Sequence, residues 1–203
     1  MGADVEPERD RLLRLTVDYV LERGVAELTL RGLGREIGTN NRMLLYYFGS
    51  KERLIAQALN AASQRFPTFT AAMTALDAPG TPLVDRLLAA WDGIAAPENL
   101  PFLRLFFEIF GQAAHNPGRF DDFLARVGHD WTNQVAGALR AEGVPAAAAA
   151  ALAREIVAIW RGLQFDLLST GDARAVAASY AATAEAFARR CAAARDAVAQ
   201  PAS

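Results

Sequence analysis

The chain has 203 residues and a mass of 21.8 kDa, enough for one large domain or two modest ones with a substantial core. Apolar residues make up 52% and charged residues 22%, which excludes a disordered tail protein. Net charge is −2 and a single cysteine, Cys191, excludes an internal disulfide, a multi-thiolate zinc cluster and a uniformly basic nucleic-acid binder.

The acidity is uneven. Residues 1–60 hold nine basic and nine acidic side chains, and residues 61–203 hold twelve and fourteen. Acids break the opening MGADVEPERD, so no secretory leader is expected, and charges interrupt every long apolar run before it could span a bilayer. A cytoplasmic protein without a membrane partner is the expectation.

The periodicity is helical throughout, with no run of alternating apolar and polar residues. Residues 9–23 predict a first helix with Leu13, Val17, Val20 and Leu21 on its buried face, stopped by Gly24. Thr29 predicts the cap of a short second helix with Leu30, Leu33 and Ile37 buried, ended by Gly38. A third runs from about Asn40 to Tyr47, and Ser50 caps a fourth beginning at Lys51. Pro67 is expected to kink or end that helix. Thr81-Pro82 opens a helix to about Ala95, another covers 100–115, and the next spans 119–142. Pro145 starts one reaching Thr170, and Asp172 caps the last, to about Val198. The expected fold is all-α with about nine helices. A small N-terminal three-helix bundle (1–55) carries a helix-turn-helix, and a larger helical body (56–203) serves ligand binding and dimerisation.

The segment TLRGLGREIGTNNRMLLYYFGSKERL, residues 29–54, holds the chemistry. Two short helices joined by a glycine turn have helix-turn-helix spacing, with Gly34 where the helices cross and Gly38 in the turn. The second helix of such a pair lies in the major groove and presents its first residues to base edges. Here those are Asn40, Asn41 and Arg42, whose amides and guanidinium suit bases or phosphates. Tyr46, Tyr47 and Lys51 bring hydroxyls and an ammonium for phosphate oxygens, beside the N-terminus of the fourth helix. Spacing alone also fits a helix pair that makes only protein contacts.

These residues resemble the DNA-binding head of the TetR family of one-component transcriptional regulators over about residues 10–57. Gly24, Thr29, Leu33, Gly38, Leu44, Tyr46, Phe48, Lys51 and Leu54 fall at the family's spacings. The resemblance implies that Thr29 and Lys51 grip phosphates, that Arg31 reaches a base, and that Asn40, Asn41, Arg42 and Met43 begin the recognition helix. Tyr46 and Tyr47 match its aromatic end. Leu45 stands where tyrosine is usual, Tyr47 where histidine is frequent and Gly34 where alanine is usual. A neighbouring tyrosine is then the candidate for the phosphate contact that Leu45 lacks. For the rest of the chain the resemblance implies a layout: a helical ligand-binding body that dimerises through its last two helices.

Residues 91–131 are rich in aromatics, including Phe102, Phe106 and Phe110 at four-residue intervals on one helix face. Core and ligand pocket are both open readings. For a pocket the candidates are Trp91, Phe102, Phe106, Phe110, His115, Trp131, Trp160 and Gln164, with Gln112 a further polar group. Two stripes mark the final helices: Leu152, Ile156, Ile159, Trp160, Leu163 and Leu167, then Val176, Tyr180, Phe187 and Val198. Small residues between them suit a four-helix bundle shared by two chains, with internal core the other reading. No metal-ligand spacing, nucleophile elbow, phosphate loop or dinucleotide fingerprint occurs, so neither catalysis nor a cofactor is expected. The functional expectation is a ligand-responsive repressor that binds a palindromic DNA operator as a homodimer. An activator or co-repressor-dependent regulator is the alternative, and a helical carrier or enzyme is the alternative from another class.

Overall fold

The computed structural model describes residues 6–199 and, within them, all side chains but those of Met73, Val198 and Ala199. Val198, assigned above to the last stripe, and part of the opening segment therefore lie outside the described residues. Ten α-helices and two short 3-10 turns make up the described chain, without a strand. They are α1 (Glu8–Arg23), α2 (Leu30–Glu36), α3 (Asn41–Phe48), α4 (Lys51–Ser63), α5 (Pro67–Ala75), α6 (Leu83–Ala95), α7 (Leu100–His115), α8 (Asp121–Ala141), α9 (Ala146–Thr170) and α10 (Ala173–Ala199).

The helix starts are written in side chains. Thr29 Oγ1 accepts from Gly32 N at 3.1 Å, Ser50 Oγ from Arg53 N at 3.1 Å, and Asp172 Oδ1 from Ala175 N at 2.9 Å. Each satisfies one of the amide donors that a helix start leaves unpaired. Asn40 is itself a cap, its Oδ1 accepting from Met43 N at 3.0 Å, so α3 begins one residue later than expected. Other expectations shift more. α4 ends at Ser63, before Pro67, so the helix stops without a kink, and Pro67 opens an unexpected separate helix α5, because proline at a first helical position loses no needed donor. Pro82, and not Thr81, stands at the cap of α6. In α1 the buried face centres on Leu12, Thr16, Val17 and Val20, while Leu13 and Leu21 are half-buried. Thr16 passes unseen as a core residue because its hydroxyl bonds back to Leu12 O at 2.8 Å, hiding its polarity inside the helix.

The chain divides into two compact units. The first, Met1–Pro67 with Leu100–Leu124, holds α1–α4 and α7. α1 packs on α4, α7 packs on both, and α2 and α3 form a corner closed by α4. Leu12, Val20, Leu33, Leu44, Phe48, Leu54, Leu103 and Ile109 fill its core. Arg9 ties α1 to α4, giving a bond to Gln57 Oε1 at 2.5 Å and laying its guanidinium 5.4 Å from the Phe48 ring centre.

The second unit, Thr68–Asn99 with Ala125–Ser203, holds α6, α9, α10 and most of α5 and α8. α10 packs against α6 and α9. Of the stripes of α9 and α10, Leu152, Ile156, Trp160, Leu167, Val176, Tyr180 and Phe187 are buried within this one chain, while Ile159 and Leu163 are half-buried. Tyr180 donates to Leu87 O at 3.1 Å, and burial pushes its phenol well above the usual range. Arg86 is buried as well, giving bonds to Leu76 O at 2.7 Å and to Glu142 Oε1 at 2.5 Å. No described helix is long and apolar enough to cross a membrane.

Candidate nucleic-acid interface

α2 and α3 are positioned by small residues where they meet. A Cβ on Gly34 would lie 3.1 Å from Thr39 O and 3.2 Å from Asn40 Cα, so the start of α3 rests against the glycine face of α2. Gly38 has φ +72° with open space around it, so its left-handed backbone, and not crowding, favours glycine there. Leu33 and Leu44 are buried on the facing sides. The outward side of α3 is thereby set by which residues must go in.

Asn41 and Arg42 are exposed at the start of α3, and Met43 is half-buried. Tyr46, one turn on, is 77% exposed, while Tyr47 is half-buried with its ring 5.0 Å from that of Tyr46 in an edge contact. Leu45 is 40% exposed on the same helix, and Phe48 is core. An apolar leucine and a phenol left in water on a helix of about two turns form a surface with unused contact area.

Thr29 and Arg31 are exposed at the start of α2. The Thr29 and Asn40 oxygens serve as caps, which leaves the hydroxyl proton of one and the amide NH₂ of the other for an outside acceptor. Lys51 is half-buried, and its Nζ donates to Leu28 O at 2.6 Å. An ammonium has three protons, so the bond fixes the side chain and spends one of them. Sequence reading did not find this tether, because its acceptor is a backbone carbonyl 23 residues earlier.

Electrostatics separate this face from the rest of the chain. Residues 29–54 contain five basic side chains, Arg31, Arg35, Arg42, Lys51 and Arg53, and two acids, Glu36 and Glu52. Both acids are answered by arginines from outside the segment: Arg23 lies 3.3 Å from Glu36 and Arg119 lies 3.6 Å from Glu52. The pairs are of little worth to stability, and among the described residues Arg31, Arg35, Arg42, Lys51 and Arg53 form no ion pair of their own.

The pocket candidates fall into both units. Phe102, Phe106, Phe110 and His115 belong to α7 in the first. Phe102 is buried with its ring 5.5 Å from Phe66, Phe106 stacks at 6.3 Å on Phe110, and His115 and Phe110 reach solvent. Trp91, Trp131, Trp160 and Gln164 belong to the second unit. Trp131 meets Trp160 edge-on at 6.2 Å, and Trp91 lies 5.2 Å from Tyr180. Gln164 is buried and its Nε2 has no hydrogen-bond partner among the described residues. The Trp160 indole nitrogen is buried too, and likewise has no hydrogen-bond partner among the described residues. Among the described residues no three His, Cys, Asp or Glu gather where they could hold a metal ion.

Residues 12–58 match the family described as bacterial regulatory proteins, tetR family. No curated protein matches the sequence. Among solved structures, the multidrug binding protein EbrR, complexed with imidazole, is 24% identical over 89% of this chain and 88% of its own, with a TM-score of 0.66. GusR of Salmonella enterica is 20% identical over 93% of this chain and 100% of its own, with a TM-score of 0.69. A transcriptional regulator from Rhodococcus sp. Rha1 is 16% identical over 93% and 96%, with a TM-score of 0.66. These likenesses extend the shared fold over nearly the whole chain. Residues 12–58 thus carry the head of the tetR family of bacterial regulatory proteins, and the whole chain shares its all-helical fold with these structures.

Proposed function

We propose that the protein is a cytoplasmic, non-enzymatic transcriptional regulator, a repressor that binds a palindromic operator as a homodimer and releases it when a small, partly apolar ligand enters the body. The observation that carries the DNA reading is the outward face of α3. Asn41, Arg42 and Tyr46 stand exposed on a helix whose other side is pinned by Leu44 and Phe48, with cations on both flanks. In this reading Asn40, Asn41, Arg42 and Met43 meet base edges with Arg31, while Thr29, Tyr46, Tyr47 and Lys51 hold phosphates.

Dimerisation through α9 and α10 uses their outward faces, since the stripes are spent internally. Ala151, Ala158 and Gly162 flank Phe165, 61% exposed, on α9, and Ala178 and Ala182 lie exposed on α10. Small residues allow close helix approach around an aromatic anchor. Two heads related by a twofold axis read a palindrome.

For the effector, Gln164 Nε2 supports a ligand that combines apolar area with a hydrogen-bond acceptor, held in the second unit among Trp131, Trp160 and Trp91; Phe102, Phe106, Phe110 and His115 of α7 are separate candidates within the first unit. The imidazole bound by EbrR is a small heterocycle of that general kind. A ligand that lowers operator affinity tenfold must itself bind tenfold more weakly to the DNA complex, a coupling of about 1.4 kcal/mol. Retention of random-sequence duplexes on purified protein tests the proposal. Recovery of one palindrome is the expected result, and failure to retain any duplex at low ionic strength overturns it.

A further inference from the structure

α7 follows the head by some fifty residues in the chain, yet it supplies a hydrogen-bonded support to the loop that leads into the helix-turn-helix. Glu108, half-buried on α7, accepts from two successive backbone amides of the α1–α2 connection: Val25 N at 2.9 Å and Ala26 N at 2.5 Å, both on Oε1. Amide bonds to a carboxylate are charge-assisted and about twice as strong as neutral ones.

The approach depends on glycine. Gly24 has φ +71°, and a Cβ there would collide with the Glu108 carboxylate. The loop between Gly24 and the Thr29 cap is otherwise thinly tied: Val25 and Leu28 are buried, and Leu28 N bonds to Val25 O at 3.2 Å. At its far end the loop makes two contacts of the candidate interface, Leu28 O holding Lys51 Nζ at 2.6 Å and Thr29 capping α2.

We propose that Glu108 is a positioning residue for DNA binding: its carboxylate fixes the Gly24–Leu28 loop from behind, and the loop in turn holds Lys51 and the start of α2 in place. The inference rests on the DNA reading above and adds to it a residue outside the matched segment. Glu108 touches no nucleic acid in this account and acts only through the loop.

The test compares the full-length protein with its Glu108→Ala and Glu108→Gln variants, using the duplex that the unaltered protein selects from random sequence. Amide hydrogen exchange at Val25 and Ala26 and duplex affinity are both read. Glu108→Ala is expected to speed exchange at those two amides and to weaken the selected duplex about tenfold, the scale of one lost charge-assisted hydrogen bond. Exchange at Leu54 and Ile55 in α4 stays unchanged, which separates loop release from general unfolding. Glu108→Gln keeps the shape and one carbonyl acceptor, so it folds even where alanine does not and is expected to recover most of the affinity. Unchanged exchange at Val25 and Ala26 in both variants overturns the proposal, as does faster exchange with undiminished DNA affinity. Should the unaltered protein bind no duplex, the DNA reading falls and takes the DNA half of this inference with it, while exchange still decides whether Glu108 holds the loop.

Discussion

Gln164 carries a buried amide donor with nothing to bond, and a buried donor without an acceptor costs about 1–3 kcal/mol. Replacing it with leucine, of similar size and without the donor, is expected to raise the melting temperature of the ligand-free protein while abolishing its response to effector. A lower melting temperature would show that the amide is satisfied in solution. Cys191 is the opposite kind of residue, quiet by burial: its thiol is pushed up to about 11 from an ordinary 9.0 by desolvation. At pH 8 its alkylation should run about a hundredfold slower in the folded protein than in urea, following the thiolate fraction. The raised value also has a sign for stability. The unfolded thiol ionises first, so the thiol's contribution is whole below pH 9 and is lost as pH rises from 9 toward 11, which a urea titration series would register as a falling midpoint.

At the scale of the element, helices that announce themselves through capping side chains were legible in the sequence. Thr29, Ser50 and Asp172 each sit at the start they predict, and Gly24 and Gly38 at the stops. α5 was not, because PTFTAAMTA lacks a polar face and its opening proline reads equally as a helix end. The α9 and α10 stripes show a different limit. Periodicity identifies a buried face but is silent on whether the same chain or a second copy covers it, and here the same chain does. Of the candidate interface, Asn40, Asn41, Arg42 and Tyr46 were readable from spacing and Thr29 and Arg31 from resemblance, whereas the Lys51 tether to Leu28 and the Glu108 bonds to Val25 and Ala26 join positions far apart in sequence. Two substitutions test the elements themselves. Asn40→Ala removes the α3 cap and should destabilise the head by about 1 kcal/mol, read as increased exchange along α3. Gly38→Ala should cost about 1–2 kcal/mol from left-handed strain alone, since nothing crowds the position; a neutral result would mean that the turn relaxes.

For the whole molecule, the fold supplies what a single short helix lacks, a packed base of α1, α2 and α4 for α3, and the proposed function adds a second copy joined through α9 and α10. Phe165→Glu on the outward face of α9 is expected to yield a monomer in analytical ultracentrifugation and to lose operator binding, while helical content is kept. A dimer that persists would move the interface elsewhere. Neutralising about three phosphates per head gives the dimer a log–log salt slope near −5, and Lys51→Ala should flatten that slope while weakening all sequences alike. The most direct test is selection from random duplexes by the unaltered protein and by Arg42→Ala in parallel. The account predicts one palindrome for the first and, for the second, altered preference at a single position in each half-site. Equal weakening toward every sequence, or no retained duplex from either protein, would contradict the assignment of α3 as the reading helix.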